Sequence, residues 1–254
     1  SLDVSTAGTT GLTDNQAAPI TGITVQNGVS VTATSAPAVV LSDVTASASG
    51  MSFPSVSSTG SGTRGLSLTN FGGTFTASGG LIANAANEDV LISGGTGDVT
   101  YGGAISDDLG VLVAVTGTTG GSKSFTGAIS DGDDGDGSGV VLTNNTGATI
   151  TFRGGLVLST GGGPAFTATG GGTVAVCDES PCAPGSTGGL VNTLTTTTGT
   201  ALNVVNTTIG SNNLEFRSIS SNGGTATGII LDGTGAAGGL KVKGNGSPGS
   251  GGTI

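Results

Sequence analysis

The chain has 254 residues, among them 52 glycines, 7 Phe, 1 Tyr and no His or Trp, and its 6 Lys+Arg stand against 16 Asp+Glu for a net charge of −10. Without histidine, Ser-His-Asp hydrolysis, His-ligated metal chemistry and histidine pH switching drop out together. The acidic balance argues against nucleic acid or an anionic membrane as partner, and no stretch reaches the ~20 apolar residues of a membrane span.

Charged residues make up 9% of the chain, far below the roughly 25% of an ordinary soluble domain. A linker of that polarity would lack apolar runs, yet mean hydropathy is +0.24 and short Val/Ile/Leu segments recur throughout. In chain order these begin at Val39, Leu66, Val90, Val111, Val140, Ala165, Ala201 and Ile229, at spacings of 27, 24, 21, 29, 25, 36 and 28 residues. A structural unit of nearly constant size carrying variable loops explains that scatter.

A second landmark follows each apolar triplet. It falls at Phe53, Phe75, Tyr101, Phe125, Phe152, Val176, Phe216 and Val242, so six of the eight aromatics share one phase of the repeat. These six are expected to form a ladder inside a common core. Local echoes support the alignment: Gly103-Ala104-Ile105-Ser106-Asp107 returns as Gly127-Ala128-Ile129-Ser130-Asp131, and Leu214-Glu215-Phe216-Arg217 as Leu240-Lys241-Val242-Lys243. A third apolar stretch, including Leu81-Ile82, Ile105, Ile129, Leu156-Val157-Leu158 and Ile219, completes the unit.

Three short alternating segments per unit, divided by Gly/Ser/Asn/Asp turns and free of any 3.6 period, predict an all-β fold. The expected architecture is a single-stranded parallel β-helix, or β-solenoid, of about nine coils with three short strands each. Right-handedness is the default for parallel connections. One continuous solenoid is expected over 1–254, with loop insertions near 130–138 and 177–189.

The runs Val140-Val141-Leu142-Thr143-Asn144-Asn145-Thr146-Gly147, Leu194-Thr195-Thr196-Thr197-Thr198-Gly199 and Gly238-Gly239-Leu240-Lys241-Val242 resemble bacterial β-strand-repeat surface proteins. Those are right-handed parallel β-helix arrays akin to adhesins and autotransporter passengers. The resemblance implies an extracellular or cell-surface scaffold and carries no catalytic residues.

Two local features invite chemistry. Asp131-Gly132-Asp133-Asp134-Gly135-Asp136 places four carboxylates in six residues, and Ca²⁺, which takes 6–8 oxygen ligands, is the candidate cofactor for Asp131, Asp133, Asp134 and Asp136. A solvated acidic loop is the plainer alternative. Cys177 and Cys182 flank Asp178-Glu179-Ser180-Pro181 and read as a disulfide at the base of a loop in an exported protein.

Enzyme activity is not expected. The carboxylate pairs Asp107/Asp108 and Asp133/Asp134 have the residue types for acid–base work, but the aromatics a sugar groove needs belong to the core phase. Thr-x-Thr pairs such as Thr149/Thr151 and Thr195/Thr197 raise ice binding, although the sequence shows no phase common to successive coils.

Neither end carries a recognisable cap: Ser1-Leu2-Asp3-Val4 enters as a strand and Gly251-Gly252-Thr253-Ile254 adds no amphipathic helix. Solenoid ends need covering. The expected function is therefore a structural building block of a surface fibre, self-associating head to tail or abutting flanking repeats of its own chain. The alternative is an adhesin stalk that binds carbohydrate or protein through side loops. Ice binding and polysaccharide degradation rank lower.

Overall fold

A computed structural model describes residues 2–14, 18–26, 28–107, 110–132, 137–177 and 191–254. Asp108, Asp133, Asp134, Asp136, Cys182 and most of the expected loop 177–189 lie outside the described residues.

Alternating strands build three sheets of nine strands each, with no helix among the described residues. The chain visits the sheets in rotation. Sheet A begins with Leu2–Ala7, sheet B with Leu12–Thr13 and sheet C with Ile20–Val25, and every third strand returns to the same sheet. Pairing is parallel throughout, as in Val29–Thr34 on Val56–Thr59 and Ser122–Phe125 on Thr149–Phe152. The molecule is a parallel β-solenoid of three strands per coil. Nine strands per sheet make nine rungs, which at ~4.8 Å each span roughly 40 Å.

Three rungs matter below. Rung 4 comprises Leu81–Ala83, Glu88–Ser93 and Asp98–Tyr101; rung 5 comprises Ala104–Asp107, Val111–Thr116 and Ser122–Phe125; rung 6 comprises Ile129–Asp131, Ser138–Thr143 and Thr149–Phe152.

The period-2 pattern sets which side chains enter the core. In sheet B, Val39, Leu66, Val90, Val113, Val140, Phe166 and Leu202 stack in one inward column, all fully buried. Three triplets are thereby shifted from the sequence alignment, with Leu202 in place of Ala201 in one of them. Val113 rather than Val111 sits opposite Val140, and Phe166 rather than Ala165 continues that column. A one-residue slip moves a whole strand to its other face, and bringing Phe166 inside contributes ~2–3 kcal/mol that Ala165 cannot match.

Corners keep the ladder going. Between sheets B and C the turn residues Asp43, Asn70, Gly94, Gly117, Asn144, Gly170, Asn206 and Gly233 all have positive φ, from 48° to 79°. Asn and Asp tolerate this region because their short polar side chains bond locally. The turn amides of all but Gly233 in the last rung donate one coil onward, as from Asn70 N to Ser93 O at 2.7 Å and from Gly94 N to Thr116 O at 2.8 Å. Gly80 has a stricter reason to be glycine: φ is +125°, and a Cβ would lie 2.0 Å from the Val56 carbonyl oxygen.

Candidate functional site

All six aromatics of the expected ladder are buried, but they occupy more than one column. Phe53, Ala77, Tyr101, Phe125, Phe152 and Val176 are successive register partners in sheet C. Phe75 stands two residues off, opposite Met51 and Val99, while Phe216 pairs with Val242 after an irregular register between Val174 and Val176. Contact survives the offset. Phe125 and Phe152 stack at 5.1 Å and 11°, Phe53 and Phe75 tilt at 5.2 Å, and Phe166 bridges edge-on to Phe152 and Phe216. Equal spacing in sequence had hidden the two-residue offsets.

Of the calcium set, Asp131 is described. It is buried at the end of its sheet A strand and is the register partner of Asp107 on the preceding rung, also buried. Among the described residues no group of three or more His, Cys, Asp or Glu side chains converges as a metal site. Cys177 is buried at the end of Thr173–Val176, with its amide donating to Phe152 O at 2.9 Å.

The electrostatics centre instead on buried ionisable groups that the motifs did not single out. Asp89 is the second residue of the sheet B strand of rung 4 and is fully buried. Its Oδ1 accepts the Ala85 amide at 3.0 Å. Burial, reinforced by nearby Asp107 and opposed by the Ala85 hydrogen bond, pushes its carboxyl from 3.8 up to about 8. Burial also pushes the Tyr101 phenol up, with Asp89 adding to it; the hydroxyl donates to Val56 O at 3.0 Å. An open depression of about 590 Å³ lies outside this corner, lined by Gly60, Ser61, Gly62, Asn84, Ala85, Ala86 and Asp107.

Asp89 could have been found by rung alignment. The position before the inward column reads Gly11, Ala38, Gly65, Asp89, Leu112, Gly139, Ala165, Ala201 and Gly228, so an acid interrupts a run of small residues. Lys123 is a second interruption. It lies in the inward column between Val99 and Ile150, and its Nζ donates to Gly97 O at 2.9 Å and Gly120 O at 2.5 Å. Burial lowers its pKa, with Asp98 opposing. Glu215, also fully buried, is held by Lys243 at 2.7 Å and Lys241 at 3.4 Å.

The Thr-x-Thr pairs do not repeat on successive rungs, since Thr149/Thr151 lie in sheet C and Thr195 in sheet A, but single hydroxyls do align on the outer face of sheet C. Ser52, Thr76, Thr100, Ser124 and Thr151 are register partners on five consecutive rungs, and Thr149, Thr173 and Thr208 form a column beside them. The hydroxyls do share a phase; loops of unequal length concealed it.

Chemically, the described residues offer a buried carboxyl at Asp89, pushed up to about 8, and hydroxyl columns on sheet C. Comparison of the chain with known protein families, curated proteins and solved structures gives no match.

Proposed function

We propose that the chain is a structural β-solenoid building block of an extracellular or cell-surface fibre, extended by end-to-end stacking of its rungs. The observation that carries this reading is the character of the first rung. Its strands pair on one side only among the described residues. The core there opens into cavities of about 300 and 330 Å³, lined by Leu12, Ile20, Ile23, Leu41 and Met51 and by Val4, Val29 and Phe53. Apolar surface beside unpaired strand edges is what strand addition covers.

Charge favours a second copy as the covering partner. No basic residue precedes Arg64, whereas Asp3, Asp14 and Asp43 do; Arg217, Lys241 and Lys243, half of all the basic residues, fall in the last two rungs. Lys241 and Lys243 pair with Glu215, and Asp232 also lies in the last rung, so the far end is nearly neutral; the acidic first rungs repel one another, which disfavours head-to-head encounters and leaves head-to-tail stacking. Flanking repeats of the same chain would use the same edges. Sedimentation velocity over a concentration series tests the reading: oligomers that grow with concentration are expected, and a single monomer species at every concentration overturns it.

The Cys177–Cys182 disulfide and Ca²⁺ at Asp131, Asp133, Asp134 and Asp136 belong to the same extracellular reading. Each would fasten one side loop. A second reading, ice or ordered-water binding, is favoured by the hydroxyl columns of sheet C. Its test is thermal hysteresis at high protein concentration, and zero hysteresis ends it.

A further inference from the structure

Asp89 is enclosed on every side, and no cation faces it among the described residues. Its Oδ2 has no hydrogen-bond partner. The strands flanking it in sheet B, Leu66–Thr69 and Val111–Thr116, carry no ionisable side chain, and neither does Leu81–Ala83 in sheet A. From rung 5 it faces Asp107, beyond which lies Asp131. From sheet C it faces Tyr101, whose hydroxyl proton is already given to Val56 O. The adjacent Glu88 pairs with Arg64 at 2.6 Å. The ammonium of Lys123 is turned to the carbonyls of Gly97 and Gly120.

A bare carboxylate in that position would lack both solvent and counter-charge, a state folded proteins avoid by neutralising the group. We propose that Asp89 is a neutral carboxylic acid in the folded protein and serves as an alkali-sensitive latch: its neutrality spares rungs 4 and 5 a second buried negative charge beside Asp107 at the corner of sheets A and B. Losing the proton places a second negative charge beside Asp107 and drives the corner open toward the surface depression at Ser61 and Asn84. The scaffold is thus strongest in acid and weakens at its middle as pH rises.

The sign follows from linkage. The unfolded chain releases this proton near 3.8 and the folded one near about 8. The stabilisation is complete below the first value and is lost as pH climbs through the second. Three readouts on the whole chain test it. The melting temperature of the native protein should fall from pH 4 to pH 9, and that of Asp89→Asn should fall less over the same range. The infrared band of a protonated carboxylic acid should persist at pH 7, vanish above the transition and be missing from Asp89→Asn. Amide exchange, corrected for its intrinsic pH dependence, should rise at alkaline pH first around Ala85 and Asp107. Absence of the protonated band in the native protein at pH 7 overturns the proposal. An identical pH slope in Asp89→Asn does so as well. Should that variant fail to fold, the native infrared titration alone decides.

Discussion

Rungs 4 and 8 each bury one carboxylate completely, and they neutralise it in opposite ways. Glu215 in rung 8 sits beneath two lysines, with Lys241 as its direct register partner on the next rung. Asp89 in rung 4 has Asp107 and Tyr101 as its ionisable neighbours and keeps a proton. The same solenoid geometry therefore hosts one acid flanked by cations and one without them. What differs is whether the neighbouring rung supplies a cation. Burial alone sets the cost of a charge; the adjacent coil decides how that cost is met.

The comparison breaks most visibly if Glu215 loses its cations. Replacing both Lys241 and Lys243 by Ala removes two cations paired with a fully buried carboxylate and is expected to cost about 3–5 kcal/mol at neutral pH, read by chemical denaturation. A variant as stable as the native chain would show that the lysines are ornaments of the surface.

The pH profile comes next. Between about pH 4 and about pH 8 the Asp89 contribution declines, with a slope approaching 1.4 kcal/mol per pH unit for one proton. Asp89→Asn removes that slope while leaving Glu215 untouched. Glu215→Gln, in contrast, should cost about 1–2 kcal/mol at neutral pH, the worth of charge-assisted bonds exchanged for neutral ones, with a pH dependence that leaves the Asp89 slope intact. Smallest is Lys123→Met. It gives up two hydrogen bonds to carbonyls but also relieves a buried ammonium, so a change within ~1 kcal/mol is expected in thermal melting.

The two sites also differ in how far they were legible. The echo of Leu214-Glu215-Phe216 by Leu240-Lys241-Val242 puts Glu215 opposite Lys241 from sequence alone, and the register agrees. Three strands per coil were equally legible, because short apolar runs and turn residues recur whatever the loops between them do. Asp89 was not, since the acidic pair Glu88-Asp89 at the start of a strand looks like solvated polarity until the column of mostly Gly and Ala that Asp89 interrupts is aligned. The offsets of Phe75 and Phe166 stayed hidden for a related reason. A bulge or a longer corner changes coil length without changing composition, and a slip of one residue exchanges inside for outside. The hydroxyl columns of sheet C emerged only when hydrogen-bond register replaced sequence spacing.

The central claim, that one copy continues the solenoid of the next, is tested most directly by the helical rise of assemblies of residues 1–254 measured by electron cryomicroscopy. Stacking of nine rungs without a gap predicts filaments that rise about 43 Å per subunit, with the strand spacing of about 4.8 Å running unbroken across each junction. Discrete rods of one subunit length at every concentration, or filaments joined side to side, would contradict it.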